Sequence, residues 1–118
     1  MNVNQDIVDR QYQTENFDGL LDDLVAEIKA LNYRVTRISH IDNIYDRREA
    51  GIDTAIGFKR YKIVEFCNLN NCSALISADL RAGVFMPVRF VVYQKVDETV
   101  VHIDFLKPTA FAALFNSK

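Results

Sequence analysis

Phe17, Leu20, Leu21, Leu24, Val25, Ile28 and Leu31 recur at i, i+3, i+4, i+7, i+8, i+11 and i+14. Only an α-helix gathers residues at that spacing onto one side. Asn16 precedes the stripe as a good N-cap, and Asn32 follows it as a residue able to take the left-handed position just past a helix end. Asp18, Asp22 and Asp23 lie toward the positive end of the helix and Lys29 toward its negative end, as the helix dipole prefers. Gly19 in the first turn costs up to about 1 kcal/mol against Ala, which the stripe can outweigh. Such a helix has to bury its apolar side, and the rest of the chain offers mainly strands as the covering surface.

Ile7–Thr14 is a short polar strand candidate suited to a sheet edge. Tyr33–Ile41 alternates, with Tyr33, Val35, Arg37, Ser39 and Ile41 on one face and β-branched residues throughout. Asp42–Gly57 has only isolated apolar residues and reads as a long loop or an irregular turn of helix. Phe58–Phe66 becomes apolar on both faces toward its end, as in a central strand covered on both sides. A second helix is expected over about Leu69–Ala78, with Leu69, Cys72, Leu75 and Ile76 on one side. Val88–Lys95 and Thr99–Leu106 are strongly β-prone, and the short Val96-Asp97-Glu98 connection makes them an antiparallel hairpin. Pro108 suits the first position of a closing helix carrying Phe111, Leu114 and Phe115. The order β-α-β-β-α-β-β-α lacks repeated parallel crossovers. It implies an α+β fold, a curved and mainly antiparallel sheet with helices packed on one face.

A chain of 118 residues that is 49% hydrophobic and 25% charged can bury one core without disulfide or metal support, so a single domain over residues 1–118 is expected. The net charge of −2, from 14 Lys and Arg against 16 Asp and Glu, lacks the cationic excess that neutralising a nucleic-acid backbone demands. No nucleic-acid partner is expected. The N-terminal residues show no basic region followed by an apolar run, and no apolar stretch approaches a membrane span, so neither a signal peptide nor a membrane association is expected. Two cysteines in such a chain fit free thiols in a reducing, cytoplasmic setting better than a disulfide scaffold. A Cys67–Cys72 disulfide is compatible with the spacing but runs against that setting.

From Phe66-Cys67-Asn68 through Met86-Pro87-Val88-Arg89 the chain resembles the domain of unknown function 302 family. The family pattern is a strand ending in Cys-Asn-Pro, a helix with a small residue and two aliphatics, an Asp-Pro, a Gly, and a Leu-Pro-Cys that opens a strand. Here Cys67-Asn68 and Gly83 are kept. Leu69 replaces the Pro, Cys72 takes the small position, Leu75-Ile76 supply the aliphatics, and Asp79-Leu80 replaces Asp-Pro. Met86-Pro87-Val88 replaces Leu-Pro-Cys. The resemblance implies a curved antiparallel sheet with helices on its concave side, similar to the TATA-binding-protein-like group of α+β folds, and a homodimer. It implies no settled reaction. A mechanism that needs a cysteine pair between Cys67 and the Pro87-Val88 corner is missing its second cysteine.

Cys67 ends a strand just before a helix N-terminus, where backbone N–H groups stabilise a thiolate. A small buried hydrophobe is the competing reading. Cys72 belongs to the apolar stripe of the following helix. His40, Cys67, Cys72 and His102 are at no recognised zinc spacing, so no metal is expected, and nothing in the sequence calls for a cofactor. His40 and His102 each stand two residues before an aspartate on a strand. Such a pair is a possible general base, more often an exposed cross-strand set. The leading expectation is a non-enzymatic binding or interaction module. Its apolar groove between sheet and helices would be rimmed by the 42–57 loop and the Cys67–Asn71 corner, lined by Tyr45, Tyr61 and Phe85, and would hold a small molecule or a partner segment. Asn68 and Arg89 are candidate ligand contacts. The alternative is a thiol enzyme or sulfur carrier in which Cys67 is the nucleophile and Arg89 holds an anionic sulfur substrate.

Overall fold

The five strands expected from the sequence pair into one sheet in which every neighbour is antiparallel. This computed structural model describes residues 3–43, 57–86 and 88–107. Within them β1 (Ile7–Gln13), β2 (Arg34–His40), β3 (Phe58–Cys67), β4 (Val88–Lys95) and β5 (Val100–Leu106) lie in the order β1-β5-β4-β3-β2. The two most polar strands take the two edges, where only one side needs a partner. β3 lies in the interior, and β4, rather than β3, is the middle strand. The proposed closing helix beyond Pro108 and residues 44–56 of the loop lie outside the described residues.

Helix α1 (Val3–Asp6) is a single turn, and α2 (Phe17–Ala30) links β1 at one edge to β2 at the other. α2 therefore has to cross the sheet. Its Phe17, Leu21 and Ile28 are buried in one cluster with Val64 and Phe66 of β3, Val92 of β4 and Val101 and Ile103 of β5. Val64, Val92 and Val101 are completely excluded from solvent. Because strand side chains alternate, these residues share one sheet face. Helix α3 (Leu69–Ala78) follows β3 and leads into a 3-10 helix (Leu80–Phe85) that the sequence reading did not anticipate. Asp79 starts that turn by accepting a hydrogen bond from the Arg81 N–H at 2.9 Å.

Both ends of α2 are closed by asparagine. The Asn16 side chain accepts from the Gly19 N–H at 2.9 Å. A Cβ at Gly19 would run into that same Asn16 carboxamide, so the glycine makes room for the cap. At the other end Asn32 takes φ 66°. Its N–H bonds the Lys29 carbonyl at 3.0 Å and the Tyr33 N–H bonds the Ile28 carbonyl at 3.2 Å, a Schellman motif. The turn delivers Tyr33 and then β2 onto the edge of β3.

Helix propensity alone predicts that Gly19→Ala gains about 1 kcal/mol. We expect the gain to be cancelled by the displaced cap, which is worth about 1 kcal/mol. Urea denaturation should then show Gly19→Ala near neutral in the wild-type background and stabilising by about 1 kcal/mol in an Asn16→Ala background. Equal effects in both backgrounds would show that the cap and the glycine are independent.

Candidate functional site

α2 stops at the Schellman turn while the sheet beneath it continues, and α3 leaves the end of β3 at its own angle. The space between them is a cavity of about 390 Å³. Its floor is aromatic. Phe66 stands edge-on to Tyr33, with centroids 5.6 Å apart, and packs on Phe90 at 4.7 Å; Phe90 meets Phe105 edge-on at 5.2 Å. Ile28 and Leu31 of α2 form one wall, Cys72 and Leu75 of α3 the other, and Met86, Val88 and Leu106 close the end. Leu31 is 66% exposed at the mouth. A cavity of this size with almost no polar lining suits the apolar part of a small ligand.

Cys67 and Asn68 both line this cavity. The two cysteines, expected as free thiols, are instead joined: Cys67 at the end of β3 and Cys72 in the first turn of α3 form a disulfide across 6.7 Å between Cα atoms. The turn of chain between strand and helix folds one sulfur back over the other. As a disulfide, Cys67 has no thiolate to offer as a nucleophile. Cys72 is buried, as its place on the apolar stripe implied. Arg89 is exposed and falls between Val88 and Phe90, so strand alternation turns it to the opposite sheet face, away from the Cys67 corner. Tyr61 also belongs to that opposite face. The backbone of Phe85 ends the 3-10 helix, and Tyr45 lies outside the described residues.

The opposite face carries a polar cluster that the sequence only hinted at. His102, expected at the surface, is 5% exposed. Its ring stacks on Tyr93 at 4.8 Å, and Tyr93 stacks on Tyr61 at 5.6 Å. That stack is what removes the histidine from water. His102 Nδ1 meets Asp9 Oδ1 at 3.1 Å and Nε2 meets Glu98 Oε2 at 3.0 Å, so its contacts are with β1 and the hairpin turn. Tyr93 donates to Asp104 Oδ2 at 2.8 Å.

Asp104 Oδ1 is buried with no hydrogen-bond partner among the described residues. When protonated, Asp104 can donate to the neighbouring Asp9. Burial first, and then Asp9, push the Asp104 carboxyl up to about 6. The hydrogen bond with Asp104 holds Asp9 down at about 2 against its partial burial. Burial would lower His102, but Glu98 and Asp9 outweigh it and raise the imidazole above its ordinary value. Burial and the Asp104 carboxyl raise Tyr93. Asp9, His102 and Asp104 place donor atoms within 4.8 Å of one another, a spacing that a metal ion could bridge, but these atoms already bond one another.

The second His-Asp pair separates. His40 is exposed, whereas Asp42 turns inward to accept from the Tyr61 N–H at 2.8 Å and Lys62 Nζ at 2.6 Å. Burial opposes ionisation of Asp42, and the Lys62 and Tyr61 hydrogen bonds with the Arg60 and Lys62 charges overcome it, so its pKa lies below the usual carboxylate range. Asp42 thus fastens the start of the loop to β3.

An open five-stranded antiparallel sheet with two helices against one face and a cavity beneath them defines a small α+β domain. The family described as Domain of unknown function DUF302 matches residues 9–118, and the chain belongs to that family. The crystal structure of the uncharacterized conserved protein DUF302 from Bacillus stearothermophilus is similar, with a TM-score of 0.78 at 21% identity over 96% of this chain and 82% of that one. That likeness establishes the shared fold. No curated protein matches the chain. No helix among the described residues is long and apolar enough to cross a membrane.

Two outcomes test this geometry. Asp104 has a folded pKa above its unfolded value, so the folded state holds a proton that the unfolded chain has lost between about pH 4 and about pH 6. Its contribution is full below the unfolded pKa and is lost as pH rises through that window; raised His102 adds a further loss above it. Stability measured by urea denaturation should therefore fall from about pH 4 to about pH 6. Asp104→Asn, which can donate to Asp9 and accept from Tyr93 without titrating, should flatten that fall and be the more stable protein at pH 7.5. An unchanged slope in the variant would dismiss Asp104 as its source. Separately, alkylation should leave both cysteines unlabelled until a reductant is added. Cys67→Ser should lower stability by roughly 2 kcal/mol, the size expected for cross-linking so short a loop.

Proposed function

We propose that this domain is a binding module that takes the apolar part of a small ligand into the cavity between α2, α3 and the sheet. The observation behind this reading is the cavity itself: about 390 Å³ lined by aliphatic, aromatic and sulfur groups. Apolar walls left unfilled forfeit the contacts that a close-packed interior makes, so an apolar guest gains both burial and dispersion. Cys67, the nucleophile of the alternative thiol-enzyme reading, is joined to Cys72 in the cavity wall, which favours a binding role over thiol chemistry.

The test uses the uncharged fluorophore N-phenyl-1-naphthylamine. Its emission should rise on mixing with the native protein and saturate at one equivalent. Leu75→Trp, which fills the cavity from the α3 side, should abolish the rise while leaving the melting temperature unchanged or higher. An unaltered signal in Leu75→Trp would place the probe elsewhere and refute the proposal.

A further inference from the structure

The apolar cavity has a polar neighbour. Beyond Tyr33, Cys67 and Asn68, which line both spaces, it adjoins an open basin of about 770 Å³. Here the chemistry reverses. The basin is bordered by Lys29 from the last turn of α2, Arg34 from the start of β2, and the amides Asn32, Asn68 and Asn70, with no carboxylate among the described residues. Lys29 and Arg34 are both exposed, and neither forms an ion pair within the described residues. Elsewhere Arg60 pairs with Asp18, Lys62 with Asp42, Arg81 with Asp79 and Lys95 with Glu98. Two exposed cations beside an apolar cavity complement negative charge.

Resting on the apolar-ligand reading, we propose that the ligand is a single-chain amphiphile with an anionic head group. Its chain enters between Phe66 and Leu75, and its head lies in the basin between Lys29 and Arg34. The Asn32 turn sets this arrangement. By reversing the chain directly after α2, it brings the last lysine of the helix and the first arginine of the strand to the border of one basin. The Asn32 and Asn70 amides offer the head group neutral hydrogen-bond donors without adding a competing negative charge.

Calorimetric titration with decanoate, decan-1-ol and decyltrimethylammonium, each below its micellar concentration, separates the two parts of the proposal. Decanoate should bind most tightly and the cation about tenfold or more weaker. The double variant Lys29→Ala/Arg34→Ala removes two exposed side chains and should fold normally. It should weaken decanoate by about tenfold while leaving decan-1-ol unchanged. Added salt should weaken decanoate alone. Equal affinity for all three amphiphiles, or a double variant that binds decanoate as the wild type does, overturns the anionic head group and leaves the apolar cavity standing. Binding that survives Leu75→Trp, or no binding of any of the three, overturns the cavity reading and this inference with it.

Discussion

One contact organises the molecule: the apolar side of α2 laid across the sheet. The chain leaves β1 at one edge, must reach β2 at the other, and does so as a helix whose Phe17, Leu21 and Ile28 are buried in one cluster with residues of β3, β4 and β5. Antiparallel strands joined in sequence make hairpins locally, but nothing local brings β1 beside β5. That pairing follows once the crossing helix has fixed which face is inside. Removing water from the crossing supplies most of the driving force, because fully buried aliphatics each contribute about 1.5–3 kcal/mol. The Asn16 cap and the Asn32 turn then determine where the crossing begins and ends.

The cavity follows from that endpoint. A helix one turn longer than α2 would lay its side chains over Phe66 and Phe90, and the space would close. Instead Asn32 takes a left-handed conformation and the chain turns back into the sheet. α3, tethered to β3 by the Cys67–Cys72 disulfide, covers the gap only partly. Phe66, Phe90 and Phe105 serve the core on one side and the cavity floor on the other. The same turn places Lys29 and Arg34 at the mouth, so apolar depth and cationic rim have one structural origin.

Periodicity made the fold legible. The helical stripe of α2, the alternation of β2 and the hairpin of β4 and β5 are local signals, and the structure places them within a residue or two of where the sequence puts them. The 3-10 helix escaped because its only marks are Asp79 and a short run with no apolar period. Spacing allows the Cys67–Cys72 disulfide and a reducing compartment argues against it, but strand-to-helix geometry decides whether two sulfurs meet. In the site, Cys67 and Asn68 were found from the strand end and helix start. Sequence proximity alone puts Arg89 at the same corner, and the two-residue period of the strand sends it to the other face. The Lys29–Arg34 basin was missed because its members flank a turn, and each looks like an ordinary surface charge until the turn joins them.

The two faces of the sheet hold opposite kinds of chemistry, and the difference bears on where a ligand belongs. On the far face, Asp9, His102, Asp104, Tyr93 and Glu98 are tied into one network. The histidine nitrogens are both engaged and the tyrosine hydroxyl is spent on a carboxylate. A group entering there would have to break bonds in a partly buried network before making its own, and each donor or acceptor left stranded costs about 1–3 kcal/mol. On the helix face the situation is the reverse. Among the described residues the aromatic floor lacks a full covering layer and the two cations lack counter-charges, so an incoming amphiphile makes contacts there without breaking any. The titrating groups make the more conspicuous cluster, yet unspent interactions, rather than unusual protonation, mark where the domain has binding free energy to offer.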